Sequence, residues 1–190
     1  YPCPENFALA RKLLPLRRDL AILHDPGHPR RSDLMAVLRA SCSRHGFVPH
    51  WHPLPEDADV AEALAPLAGK VDALVAAFPF HPMFPASGRD CGGIIRFCLA
   101  RKIPLFVLGD AAWVGKGALA SVAPDYVGIG CEAARLVHAL IAGKKPRELP
   151  FRHFRRGVRH INRRTAEVIG LAIPEDLPTK RTRFHDRIGD

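Results

Sequence analysis

Several chemistries are excluded by what this 190-residue sequence lacks. No apolar run approaches the roughly 18–20 residues that a bilayer-spanning helix needs. The first predicted strand, within "RDLAILHDP", is not followed by G-x-G-x-x-G; the loop after it, "HDPGHPRRS", holds one glycine and two prolines. Backbone amides cannot easily approach a pyrophosphate through such a loop, so a dinucleotide cofactor is not expected. The phosphate loop GxxxxGK[ST], the zinc helix HExxH and the nucleophile elbow GxSxG are absent too. The five cysteines are an odd number without CxxC spacing, which fits neither a disulfide framework nor a zinc knuckle. No catalytic residue, metal or cofactor is therefore assigned.

The sequence does have enough apolar residues, 47%, to bury a core as one domain, or as one domain with an appendage. It starts at Tyr1 without methionine or a basic-then-apolar leader, which reads as a processed or truncated product and leaves export open. Its net charge of +9 is uneven: residues 144–190 carry 13 Lys/Arg against 6 Asp/Glu, and residues 1–143 carry 15 against 13. A basic terminus can attract nucleic acid or an anionic membrane. Without aromatic interleaving or a nucleic-acid motif, a solvated or partner-facing terminus is the preferred reading, and no nucleic-acid partner is expected.

Short apolar strands alternate with amphipathic helices. "RDLAILHDP", "FVPHWHPL", "VDALVAAF", "IPLFVLGD" and "GALASVA" read as strands, the second weakened by its prolines. Between them, "RRSDLMAVLRASCSRHG" puts Leu34, Leu38 and Cys42 on one face with Gly46 as its stop. "EDADVAEALAPLAG" aligns Val60, Leu64 and Leu67, and Cys91, Ile94, Ile95 and Cys98 form the buried stripe of the helix after the third strand. The longest helix lies in "PDYVGIGCEAARLVHALIAG", with proline at its start and Gly143 at its end. Such alternation requires a parallel sheet with helices on both faces. The expected fold is α/β, a doubly wound, mainly parallel, five-stranded Rossmann-like sheet.

Four segments are predicted: a helix over 1–15, the Rossmann-like lobe over 16–150, a strand and short helix over 151–174, and a basic, frayed tail over 175–190. In the third segment, Asn162 is the expected N-cap and Gly170 the stop. Whether 151–174 pack on this lobe is open; if not, Val158, Ile161 and Ile169 are left as an apolar patch.

In open parallel sheets, ligands sit outside the carboxyl ends of the strands. Those ends carry Asp25, then Phe78, Phe80 and His81, then Asp110, then Asp125 and Tyr126. Aromatic rings, a few carboxylates and a histidine suit a small polar or aromatic ligand. Each also has a structural reading, and Asp125 in particular stands where a helix N-cap belongs. His50 and His52, on one side of a strand, have no third ligand at metal spacing, and Asp72 reads as part of the turn entering its strand.

"VDALVAAFP", "ARKIPLFV", "GALASVAPDYVGIGCEAARLVHALIAGKKPRELP" and "INRRTAEVIGLAIPEDL" occur in the order found in one family. With them the sequence resembles, over about residues 5–177, the second half of an ABC transporter substrate-binding protein of the type I periplasmic binding protein fold. It is most similar to the group that takes up aromatic amino acids such as tryptophan. The resemblance implies two Rossmann-like lobes joined by crossing strands, with the first lobe missing from this sequence. It also implies an extracytoplasmic place, a small-molecule ligand held between lobes, and delivery to a membrane permease, the only tie to a membrane. The residues 1–15 and 151–174 become crossovers, and Asp125 and Tyr126 become walls of a cleft. Where the family often has Pro-x-Asp-Asn after the "VDAL" strand, "FPFHPMFPASG" stands here, with His81 near the usual Asp. The alternatives are an effector-binding module of a regulatory or sensory protein, and a small enzyme using Asp110 or His81.

Overall fold

The computed structural model describes residues 3–27, 31–55, 58–77, 91–149 and 157–189. Within them seven strands form one sheet: β1 (Asp19–His24), β2 (Val48–Pro53), β3 (Ala73–Ala76), β4 (Leu105–Val107), β5 (Ala120–Pro124), β6 (Gly157–Asn162) and β7 (Thr182–His185). Their order is β2-β1-β3-β4-β5-β6-β7. The first five are parallel, β6 runs against β5, and β7 follows β6. The five expected strands are all present, and two more extend the sheet.

Successive side chains of a strand point to opposite faces, and here both faces are covered. Leu20 and Ile22 of β1 enter one core with Phe7, Leu38, Cys42, Phe106, Ala166 and Ile169. Ala21 and Leu23 enter the other with Leu64, Ile94, Ile95, Cys98, Trp113 and Val114. The first core is roofed by α1 (Cys3–Leu13), α2 (Arg31–Arg44) and α7 (Arg163–Ile169). The second is roofed by α3 (Val60–Leu64), α4 (Cys91–Ala100) and α5 (Ala112–Lys116). Proline is tolerated in β2 because that strand is an edge.

Local signals act where the residue types place them. Asp72 Oδ2 accepts from the amides of Arg18 and Asp19 at 2.7 and 3.0 Å, tying the start of β1 to the turn before β3. Gly46 and Gly170 take positive φ, 70° and 72°, at the ends of α2 and α7. Asn162 caps α7 by accepting from Thr165 N at 2.9 Å, and its amide donates to the carbonyls of Val114 and Arg187.

The expected frayed tail is corrected by β7. Thr182 and Arg183 pair with Arg159 and His160, Phe184 packs on the first core, and Leu177 is fully buried. The segment is polar because it is half exposed, and its order comes from pairing with β6, which no local period announces. Residues 157–169 also pack on this sheet, with Ile161 wholly buried.

Two features bear on function. The first is a split in the sheet: β4 and β5 are in register only at Phe106–Ala120. Beyond that point the backbone N–H and C=O of Val122 are taken by the Asn6 side chain of α1, at 2.7 and 3.0 Å, instead of by β4. The second is α6 (Tyr126–Ile141), which leaves the end of β5 before the chain returns as β6. It has sixteen residues, most of them apolar, and none is buried. Val127 and Ile141 are 79% and 81% exposed.

Candidate functional site

The sheet topology brings four chain segments to one edge. There β4 and β5 end, and β6, running the other way, begins with Gly157 opposite Pro124. The segment entering β7 comes alongside, since Thr182 pairs with Arg159. Between these ends lies a cavity of about 810 Å³, a size suited to a small-molecule ligand. Gly109, Asp110, Ala111 and Ala112 line it from β4, Ala123 to Val127 from β5 and α6, Val158 and His160 from β6, and Lys180, Arg181 and Arg183 from the β7 side.

The carboxylates in this cavity are held by their own backbones. Asp110, 8% exposed, accepts from Ala112 N at 2.7 Å through Oδ1. Asp125 Oδ1 accepts from Gly128 N at 2.9 Å and is the N-cap of α6. That cap fixes where Tyr126 emerges; the residue is 68% exposed at the cavity wall. At the β6 side of the cavity His160 Nδ1 lies 3.1 Å from His185 Nε2, so one ring donates and the other accepts. Burial, then the neighbouring His185 and Arg183, holds the His160 pKa below the usual histidine range.

Of the residues singled out from sequence, the structure gathers Asp110, Asp125 and Tyr126 around this one cavity. Asp25 stands apart, at the end of β1, where its Oδ1 accepts from Gly27 N at 2.7 Å in a local turn. Phe78, Phe80 and His81 lie outside the described residues. Val158, His160, Lys180, Arg181 and Arg183 lie outside the site expected from sequence, which places them in a crossover and a loose tail. The alternation Arg181-Thr182-Arg183-Phe184-His185 was the available signal. Asp72 and His50 are structural: Asp72 holds a turn, and His50 Nε2 meets Asp19 Oδ1 at 2.6 Å. Among the described residues no three His, Cys, Asp or Glu side chains are grouped to hold a metal ion.

The mostly parallel sheet flanked by helices, with a cavity at its carboxyl edge, matches the periplasmic binding protein fold. The chain belongs to the family described as ABC transporter substrate binding protein, whose model matches residues 2–184. A conserved domain protein from Vibrio cholerae is similar in structure, with TM-score 0.72 and 27% identity, over 97% of this chain and 60% of that one. The ABC domain of a Streptococcus pneumoniae protein in complex with L-Trp gives TM-score 0.71 at 23% identity, over 97% of this chain and 62% of that one. An open, ligand-free substrate binding protein with adhesive properties from Clostridium difficile gives 0.79 at 17% identity, over 95% and 58%. The last two likenesses concern the fold alone. The chain spans about three fifths of the length of these structures. No curated protein matches the sequence.

Proposed function

We propose that this chain is the second lobe of the solute-binding component of an ABC-type importer, acting outside the cytoplasm by binding and not by catalysis. A first lobe of the same protein closes the cavity, and the closed form delivers the solute to a membrane permease. The observation that carries this reading is α6. Its first turn, Tyr126 and Val127, lines the cavity, while the helix has no buried residue in a chain whose other long apolar helix, α4, buries five. Bare apolar surface beside a ligand-sized opening marks a face that another layer covers. Closure then follows from a solute that contacts both layers at once, and so binds the closed arrangement better than the open one.

The test is a thermal-shift panel of amino acids and small aromatics on the full-length protein, two-lobed on this reading. A solute at one hundred times its Kd stabilises the folded form by about 2.7 kcal/mol. The expected result is a saturable rise in Tm for at least one solute. No shift with any member of the panel overturns the proposal.

A further inference from the structure

Besides Asp110 and Asp125, the cavity is lined by a basic wall. Alternation along β6 and β7 puts Val158 and His160, Arg181 and Arg183 on one face of that strand pair, with His160 and Arg183 directly paired. Thr182 and Phe184 point the other way, and Phe184 packs on the core. Lys180 extends the basic face into the cavity. None of Lys180, Arg181 or Arg183 forms an ion pair with a described residue. Their positive charge is therefore not cancelled among the described residues of the lobe.

The described charges do not balance across the cavity either. Among the described lining residues, Lys180, Arg181 and Arg183 stand against two carboxylates, Asp110 and Asp125, each of which has one oxygen committed to a backbone N–H. His160, hydrogen-bonded to His185, stands at the same wall. Guanidinium groups present a planar fork of donors that matches a carboxylate or phosphate, and such bonds are among the stronger polar contacts. An uncharged solute would leave this wall unmatched.

Resting on the solute-binding reading above, we infer that the cavity selects small molecules with net negative charge. Their carboxylate or phosphate group sits against Arg181 and Arg183, with Lys180 adding long-range attraction. The two arginines are specificity-determining residues, and the two carboxylates orient the solute and disfavour its binding in the reverse direction. Selection by charge also makes affinity fall with ionic strength, since the basic wall is exposed.

The experiment titrates the full-length protein with four probes at low and high salt: indole-3-propionate, succinate, inorganic phosphate and L-tryptophan. The first and last share ring and chain length, but only L-tryptophan has the ammonium that makes it neutral. Wild type is compared, at a pH above the histidine range, with the double variant Arg181→Gln, Arg183→Gln, whose exposed positions leave the ligand-free Tm little changed there. Expected is saturable binding of an anionic probe, weakened by salt, with a loss of about 10-fold or more in the double variant. Binding of phosphate without the carboxylates, or the reverse, identifies the anionic group. Equal binding of L-tryptophan and indole-3-propionate with no effect of the double variant overturns the charge selection and leaves the solute-binding reading standing. No response to these probes or to the wider solute panel overturns both.

Discussion

Asn6 holds the split between β4 and β5, so replacing it tests how the site's wall is fixed. Val122 points its backbone N–H and C=O away from β6 toward a gap that β4 does not fill, and the Asn6 amide answers both at 2.7 and 3.0 Å. Asn6 is 3% exposed, so water does not readily take its place. Asn6→Ala leaves a buried donor and a buried acceptor, each costing about 1–3 kcal/mol, for a total of about 4 kcal/mol. In a chain of this size that corresponds to a fall in Tm of about 8–16 °C. Urea unfolding followed by circular dichroism should show the loss as a shifted midpoint at constant slope. Asn6→Asp adds a check on sign. A protonated carboxyl can donate to Val122 C=O as the amide does, whereas a carboxylate repels that carbonyl, so the pKa of the introduced carboxyl rises in the folded state. The stability of this variant is then full below the unfolded carboxyl value and is lost as pH rises through the raised folded value. A cost below about 1 kcal/mol for Asn6→Ala, with no pH dependence peculiar to Asn6→Asp, refutes the reasoning.

Other consequences can be measured on the same protein. The lowered His160 pKa means the unfolded chain binds that proton more readily than the folded one. The stability it contributes is present above the ordinary histidine value and lost as pH falls below it, and Arg183→Gln should reduce that pH dependence. Of the five cysteines only Cys131 is exposed, while burial pushes Cys42 and Cys98 up to about 12; a thiol reagent should label one site quickly and the others only on unfolding. Val137→Gln with Ile141→Gln should change the stability of residues 1–190 alone by less than about 0.5 kcal/mol, because both side chains are exposed. In the full-length protein the same pair should lower Tm by several degrees; equal, negligible effects in both would remove the case for a covering lobe.

How far the sequence could be read follows from the range of the interactions involved. Strands buried on both faces, such as Leu20–Leu23 and Ala73–Ala76, are visible as apolar runs because every residue needs the same environment. Caps and stops such as Asp125, Asn162, Gly46 and Gly170 are visible because the demand is met within three or four residues. The β6–β7 pair was read less well: Arg183 and Phe184 face opposite sides of an exposed ribbon, so neither an apolar run nor a helical period appears. The basic wall of the cavity was missed for that reason. Asn6 was not legible at all, since its partner is 116 residues away. The apolarity of α6 was plain in the sequence, but its lack of cover is a property of the assembled lobe.

Amide chemical-shift mapping of the isotope-labelled full-length protein, titrated with whichever solute the panel identifies, tests most directly whether this edge of the sheet grips it. Perturbations should concentrate at residues 109–112, 123–127, 158–160 and 180–183, together with residues of the lobe packed over α6. Saturable binding that shifts signals elsewhere and leaves these four segments unmoved would contradict the account.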